Sequence, residues 1–292
     1  MSVQDRLAGR RVVASISGGK DSAALSLHLA ELGIEHDRIF FDTGWEHPDT
    51  YAYLRGPLTA AIGPIRELHG PRTMAELCIH KGMFPMRTKR FCTSELKMRP
   101  AQDYIAALMD GGTDVVNAVG IRAGESRARS LLTEWEWSDG WDCEIWRPLI
   151  AWSEADVIAV HRRHGLAPNP LYLRGYERVG CWPCIFARKD EIRRIADESP
   201  ERIAEIRALE ATVNDGARAR AAAKGEPLRT VRAWFMAMGS LRGEVGDCTP
   251  VPIDDAVSWA RTARGGRQFE LFAPEHEAGC VRWGLCDTGG AR

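Results

Sequence analysis

A chain of 292 residues with a formal net charge of −1 has room for one large α/β domain and an appended region, and exerts no overall pull on nucleic acid or anionic membranes. No run approaches the roughly 18 apolar residues of a membrane helix and the N-terminus lacks a signal-peptide core, so a cytoplasmic protein is expected. Eight cysteines in such a chain point away from a disulfide framework and toward metal, cluster or redox chemistry.

Residues 11 to 16 read as a buried strand, with β-branched bulk from Val12, Val13 and Ile16. Gly18 and Gly19 then make a turn, and the apolar spacing of residues 23 to 32 is that of an amphipathic helix stopped by Gly33. Free amides, the positive end of a helix dipole and the Lys20 ammonium meet at this turn, which makes an anion site suited to phosphate. Ser17 and Ser22 add hydroxyl donors, and Asp21 is placed to orient amides or hold magnesium. The spacing is not that of the Walker loop. Ser17-Gly18-Gly19-Lys20-Asp21-Ser22 instead resembles the pyrophosphate loop of the PP-loop ATP pyrophosphatases, and the resemblance implies that it holds the pyrophosphate leaving ATP or a phosphate of an adenylyl sulfate.

A second strand over residues 37 to 41 ends in Asp42-Thr43-Gly44, completing a βαβ unit. An open, mostly parallel sheet with helices on both faces follows, with ligands beyond the carboxyl ends of its strands. A carboxylate such as Asp42 at that edge binds a ribose hydroxyl or magnesium, or else caps a turn. The run from Asp42 to Pro48 is similar to the second strand loop of PAPS reductase-like proteins. A third strand is expected at residues 64 to 69 and a helix at about 73 to 81.

Next comes a basic segment in which Arg87, Lys89, Arg90, Lys97 and Arg99 put five cations near Cys92, opposed by Glu95. Such a field is expected to lower the Cys92 thiol pKa and favour a thiolate that ligates metal or attacks sulfur. Cys92 to Lys97 with Pro100 resembles the paired-cysteine region of APS and PAPS reductases, except that Thr93 stands where the cluster-bearing enzymes have a second cysteine. A helix over residues 101 to 109 leads to a valine-rich strand at 113 to 120. At its end Gly120, Arg122 and Arg127 bring glycine and guanidinium to the ligand edge, where arginine can grip phosphate bidentately. This motif is similar to the second anion-binding segment of the same family.

Residues 144 to 150 are strand-like, and Ser153 with Asp156 opens a helix ended by Gly165. Residues 169 to 184 read as an ordered loop closing in Cys181-Trp182-Pro183-Cys184, and its order of motifs resembles PAPS reductase-like proteins, so the likeness spans about residues 10 to 190. Residues 188 to 224 are helical and charged, with Ser199 as an N-cap before Pro200. From residue 239 onward no periodicity is clear. The expected division is a nucleotide-binding domain at 1–187 and a helical region at 188–292 that returns cysteines to the site.

Cys78 and Cys143 fall in core patterns. Cys181 with Cys184, and Cys280 with Cys286, offer two pairs of loop thiols that fit an iron–sulfur cluster or structural zinc, with Cys92 as an alternative ligand. The Gly180-Cys181-Trp182 form also resembles the ATP pyrophosphatase subunits of DNA phosphorothioation, which carry a [4Fe–4S] cluster. The resemblance implies an ATP- and Mg²⁺-dependent adenylating sulfurtransferase, with Lys20, Arg122 and Cys92 as catalytic residues. Its partners would be a sulfur donor such as a cysteine desulfurase and a nucleic-acid acceptor. An APS or PAPS reductase is the alternative, although the Glu-Cys-Gly-x-His segment of those enzymes is missing from this sequence. A nucleotide-sensing, cluster-bearing subunit of a larger assembly is the third reading.

Overall fold

Val12, Val13, Ala14 and Ile16 are all almost fully buried, as a strand covered on both faces requires. In the computed structural model, which describes residues 2–86, 88–225, 233–238, 249–262 and Trp283, they lie in and just after the central strand of a six-stranded sheet. A short helix α1 (Val3–Leu7) precedes β1 (Arg11–Ser15), α2 (Lys20–Glu31) and β2 (His36–Asp42). Then come α3 (Pro48–Tyr53), a π turn around Pro57, α4 (Thr59–Ile62), β3 (Arg66–His69) and α5 (Met74–Lys81). A helical stretch follows, made of α6 (Phe91–Thr93), a π turn at Ser94–Met98 and α7 (Arg99–Asp110). The sheet is completed by β4 (Val115–Ala118), β5 (Trp135–Ser138) and β6 (Cys143–Trp146). Helices α8 (Glu154–Arg163), α9 (Pro170–Leu173), α10 (Lys189–Glu198) and α11 (Pro200–Ala223) lead to a small ladder of β7 (Met236–Met238) with β8 (Thr249–Val251), and to α12 (Ile253–Ala260).

The strand order is β3-β2-β1-β4-β6-β5, parallel throughout except for β5, which runs antiparallel to β6. Strand alternation divides the burial. Val12, Ala14 and Ile16 join the face covered by α2 and α8, while Val13 and Ile39 meet Ala101 and Ile105 of α7 on the other. A third apolar cluster links α5, α10, α11 and α12 through Trp45, Trp182 and Phe235. Cys78 and Cys143 are buried core residues.

Several boundaries differ from expectation for identifiable reasons. The strand read at 144 to 150 stops at Trp146, because Pro148 has no N–H to continue a ladder. The helix read from residue 101 begins ten residues earlier in the chain, at Phe91, and the π turn absorbs the misfit that Pro100 creates. Ser199 precedes α11, but its side chain makes no capping bond. The region beyond residue 239 contains α12, whose buried Ile253, Ala256, Val257 and Ala260 follow a helical period too short to stand out.

Candidate nucleotide and thiol site

The strand order reverses between β1 and β4, and a crevice beyond the carboxyl ends at such a switch point is where α/β sheets bind ligands. The loop after β1 turns there on Gly18, at φ +74°. A Cβ at Gly18 would sit 3.0 Å from Thr50 Cγ2, so both backbone angle and space demand glycine. The loop is braced from within and from far along the chain. Ser22 Oγ donates to the Gly19 carbonyl at 2.9 Å and accepts from Ser17 N at 3.0 Å. Asn169 Nδ2 donates to the Gly18 carbonyl at 3.2 Å, His161 Nε2 donates to the Lys20 carbonyl at 2.9 Å, and Lys20 N donates to the Tyr172 hydroxyl at 3.2 Å. The Tyr172 ring also lies 5.4 Å from the Lys20 ammonium.

Across the crevice the loop after β4 comes equally close. A Cβ at Gly120 would stand 2.9 Å from the Asp21 carbonyl oxygen and 3.2 Å from Leu25 Cβ. This approach carries buried Arg122 to Asp21, Nε to Oδ1 at 2.5 Å. Asp21 Oδ2 and Glu154 Oε1 stand 3.2 and 3.5 Å from Lys20 Nζ. Lys20, Arg122 and Asp21 are thus brought together as the loop motifs foretold. Arg127 is not: it is exposed, and no hydrogen bond or ion pair joins its guanidinium to the described residues.

At the end of β2, Asp42 accepts from the Tyr51 hydroxyl at 2.5 Å and from Gly44 N at 2.8 Å. Thr43 is buried and its hydroxyl donates to Glu46 at 2.7 Å. Glu46 also takes the amides of Thr43 and Trp45 and the Tyr51 hydroxyl, which makes it the organising carboxylate of this loop. Burial, then Asp42 and Glu46, push the Tyr51 hydroxyl far up, so it serves as a donor. Asp42, Glu67 and His69 form the one group of three side chains among the described residues whose ligand atoms lie within 4.8 Å of one another.

The cysteine loop is fastened to this second corner. Cys181 bridges Glu46 in antiparallel fashion, Trp182 N donates to Trp45 O at 2.8 Å, and Trp45 Nε1 donates to Pro183 O at 3.0 Å. Arg202 clamps the pair, its guanidinium 3.9 Å from the Trp45 ring and its Nε donating to Trp182 O at 2.9 Å. The same stretch of chain holds the first corner too, through the bonds of Asn169 to the Gly18 carbonyl and of Lys20 N to Tyr172.

Cys92, Cys181 and Cys184 are mutual neighbours around Lys97. Burial alone would pull Lys97 down, but Cys181, Glu46, Cys184 and Cys92 together hold its ammonium above the usual value. Burial raises the Cys181 thiol to about 11 despite Lys97. The lowering expected for Cys92 does not occur: burial raises that thiol, Cys184 adds to the rise, and Thr93, Lys97 and Arg90 offset only part of it. Lys89 and Arg99 are exposed. The three sulfurs do not all come within 4.8 Å of one another. Thiols converging on a cation suit a metal or cluster, since thiolate is the ligating form and Lys97 supplies compensating charge. Cys280 and Cys286 lie outside the described residues. Trp283, between them in sequence, packs on His161 and Tyr172.

Fold and switch-point loop together define an α/β protein of the PP-loop class. The Phosphoadenosine phosphosulfate reductase domain matches residues 11–187, and the chain belongs to that family. It is 31% identical to an "Uncharacterized 37.8 kDa protein" of Escherichia phage 186, over 94% of this chain and 96% of that one. It is 29% identical to an adenosine 5'-phosphosulfate reductase of Streptomyces coelicolor, over 55% of this chain and 66% of that enzyme. A crystal structure of phosphoadenylyl-sulfate reductase from Candida auris, a phosphate complex, aligns at 22% identity with a TM-score of 0.46, over 59% of this chain and 81% of that one. Among the described residues no helix is long and apolar enough to cross a membrane.

Residues 17 to 22 and Arg122 were readable because each motif directly follows its strand. Glu46, Tyr51, Asn169, His161 and Tyr172 were not singled out, because their roles come from contacts across many residues. The one available signal was the clustering of Asn169 and Tyr172 in a proline-bounded loop.

Proposed function

We propose that the chain is a PP-loop ATP pyrophosphatase that adenylates a substrate oxygen so that sulfur can replace it. The observation that carries this reading is the double attachment of residues 169 to 184, by Asn169 and Tyr172 to the phosphate loop and by residues 181 to 183 to Trp45 and Glu46 at the end of β2. In this reading Ser17, Gly18, Gly19, Lys20 and Ser22 bind the leaving pyrophosphate, with Gly120 admitting the close approach. Asp21, which pairs with Lys20 and Arg122, would yield both to the phosphates, and its freed carboxylate would then be available to hold a magnesium ion bound with ATP. Arg122 then neutralises charge as the acceptor oxygen attacks the α-phosphorus, and the leaving group becomes pyrophosphate. Asp42, Thr43 and Gly44 wall the nucleotide at β2, and Arg127 closes over it from the exposed loop. A sulfur nucleophile next attacks the substrate atom that carries the adenylated oxygen, and the bond to that oxygen breaks as AMP leaves with it.

Cys181, Cys184, Cys280 and Cys286, with Cys92 as the alternative, would hold a [4Fe–4S] cluster, which when bound supplies a redox-active sulfide centre beside the crevice. Residues 1–187 form the nucleotide domain in this reading and 188–292 the helical region that closes the thiol site. A sulfur donor such as a cysteine desulfurase and a nucleic-acid acceptor complete it.

The test is product analysis with anaerobically purified protein. Release of pyrophosphate from ATP in the presence of acceptor, abolished in Lys20→Ala, is expected. Release of sulfite from adenylyl sulfate, with no pyrophosphate from ATP, would replace this reading with the reductase one, which the similarity to the Streptomyces coelicolor enzyme favours.

A further inference from the structure

The helical stretch that carries Cys92 has a second face. Phe91, Ser94 and Met98, at i, i+3 and i+7, line a groove of about 560 Å³ with Met83, while Lys89 and Arg90 stand at its rim. That volume is in the range that holds a compact ligand, about 300–1,000 Å³. Met98 is 39% exposed, an unusual state for so large an apolar side chain beside a cavity. Lys81 also borders the groove, but Glu95 neutralises it at 2.6 Å. Lys89 and Arg90 are exposed, and neither has a carboxylate partner among the described residues. The Arg90 guanidinium reaches Thr93 Oγ1 at 3.3 Å and lies 5.4 Å from the Phe186 ring.

We infer that this groove binds a single-stranded nucleic acid, with backbone phosphates on Lys89 and Arg90 and an unstacked base on the floor of Phe91, Met83 and Met98. The inference rests on the adenylating reading, since it makes the strand the acceptor. Three features select this occupant. Lys89 and Arg90 only donate hydrogen bonds, and phosphodiester oxygens only accept, whereas a peptide backbone also brings N–H groups that this rim leaves unpaired. The apolar floor gains from burying an uncharged surface, which an unpaired base supplies and the outside of a duplex does not. The near-neutral whole chain leaves local charge as the means of attraction, and the rim is such a local patch. Phe91 and Thr93, on either side of Cys92 in sequence, both line the groove, so a strand seated here lies beside the segment that carries Cys92.

Fluorescence anisotropy of labelled oligonucleotides with the full-length protein tests this. The single strand is expected to bind more tightly than its duplex. The double variant Lys89→Glu/Arg90→Glu should lose at least tenfold in affinity at low salt, and the slope of log K against log salt should become shallower by about 1.4, two phosphates at about 0.7 each. Met98→Ala should weaken single-strand binding and leave that slope unchanged. Equal binding by the charge variant, a preference for duplex, or no binding at low salt would each overturn the inference. So would loss of sulfur delivery from a desulfurase with strand binding intact, which would assign the groove to a protein. Pyrophosphate release by the same preparations separates the readings: if it persists while strand binding ignores the variant, the groove assignment fails alone. Lys20→Ala should abolish release and keep strand binding.

Discussion

Gly120→Ala is a single added methyl group whose effect follows from two distances. The new Cβ would meet the Asp21 carbonyl oxygen at 2.9 Å and Leu25 Cβ at 3.2 Å, both closer than comfortable contact. Neither neighbour can swing aside, since one is backbone in the first turn of α2 and the other is a Cβ fixed to that helix. The β4 loop must therefore move away, and Arg122, two residues on, moves with it. Overpacking of this kind costs about 1–3 kcal/mol. Gly124, on the same loop and with nothing within 4 Å of its Cβ position, is the control, and Gly124→Ala should change stability by less than about 0.5 kcal/mol. Guanidinium denaturation gives the stabilities, and equilibrium ATP binding reads the displacement of Arg122, for which about a tenfold loss is expected. Wild-type stability and ATP affinity in Gly120→Ala would refute the argument that this contact sets the width of the crevice.

Histidines give a pH prediction. Burial holds His36 and His161 below their ordinary value, so in acid the unfolded chain binds protons that the folded one refuses. Stability should be complete above about pH 6.5 and fall as pH drops toward the folded values, by up to about 1.4 kcal/mol per histidine per pH unit. A denaturation midpoint equal at pH 7.5 and 5.5 would contradict this. Arg202→Lys keeps the charge but loses the stack on Trp45 and the bond to Trp182 O, and should cost about 1–3 kcal/mol by the same denaturation measurement. A loss under about 0.3 kcal/mol would show that the clamp is idle. Cys181→Ser/Cys184→Ser should remove bound iron and visible absorbance from anaerobically purified protein, and retention of both would exclude these thiols as ligands.

What could be read in advance was local. The PP-loop and the glycine–arginine motif sit within a few residues of the strands that aim them, so strand pattern plus residue type located them. Fixing Tyr172 under Lys20, or Glu46 beneath Thr43, required knowing how α9 and the β2 loop pack, which no short window contains. Cys92 shows the opposite hazard: its charged neighbours in sequence suggested an acidic thiol, but burial outweighs them and most of those cations face solvent. Edge strand β5 escaped notice because its apolar–polar alternation, Trp135-Glu136-Trp137-Ser138, runs for only four residues; Trp135 gains its place by stacking on Trp146, 4.9 Å away, and Trp137 is left exposed.

The pairing of Lys20 and Arg122 with Asp21 has a consequence for selectivity. A carboxylate already at the anion position acts as a tethered competitor that is never diluted. Chloride or acetate would displace it with no net gain in charge, so simple salts are poor rivals at this crevice. On the adenylating reading, a triphosphate would bring several charges at once, and a divalent cation with it would satisfy the evicted aspartate. Admission would then be a threshold set by valence, one that single-charged anions do not reach.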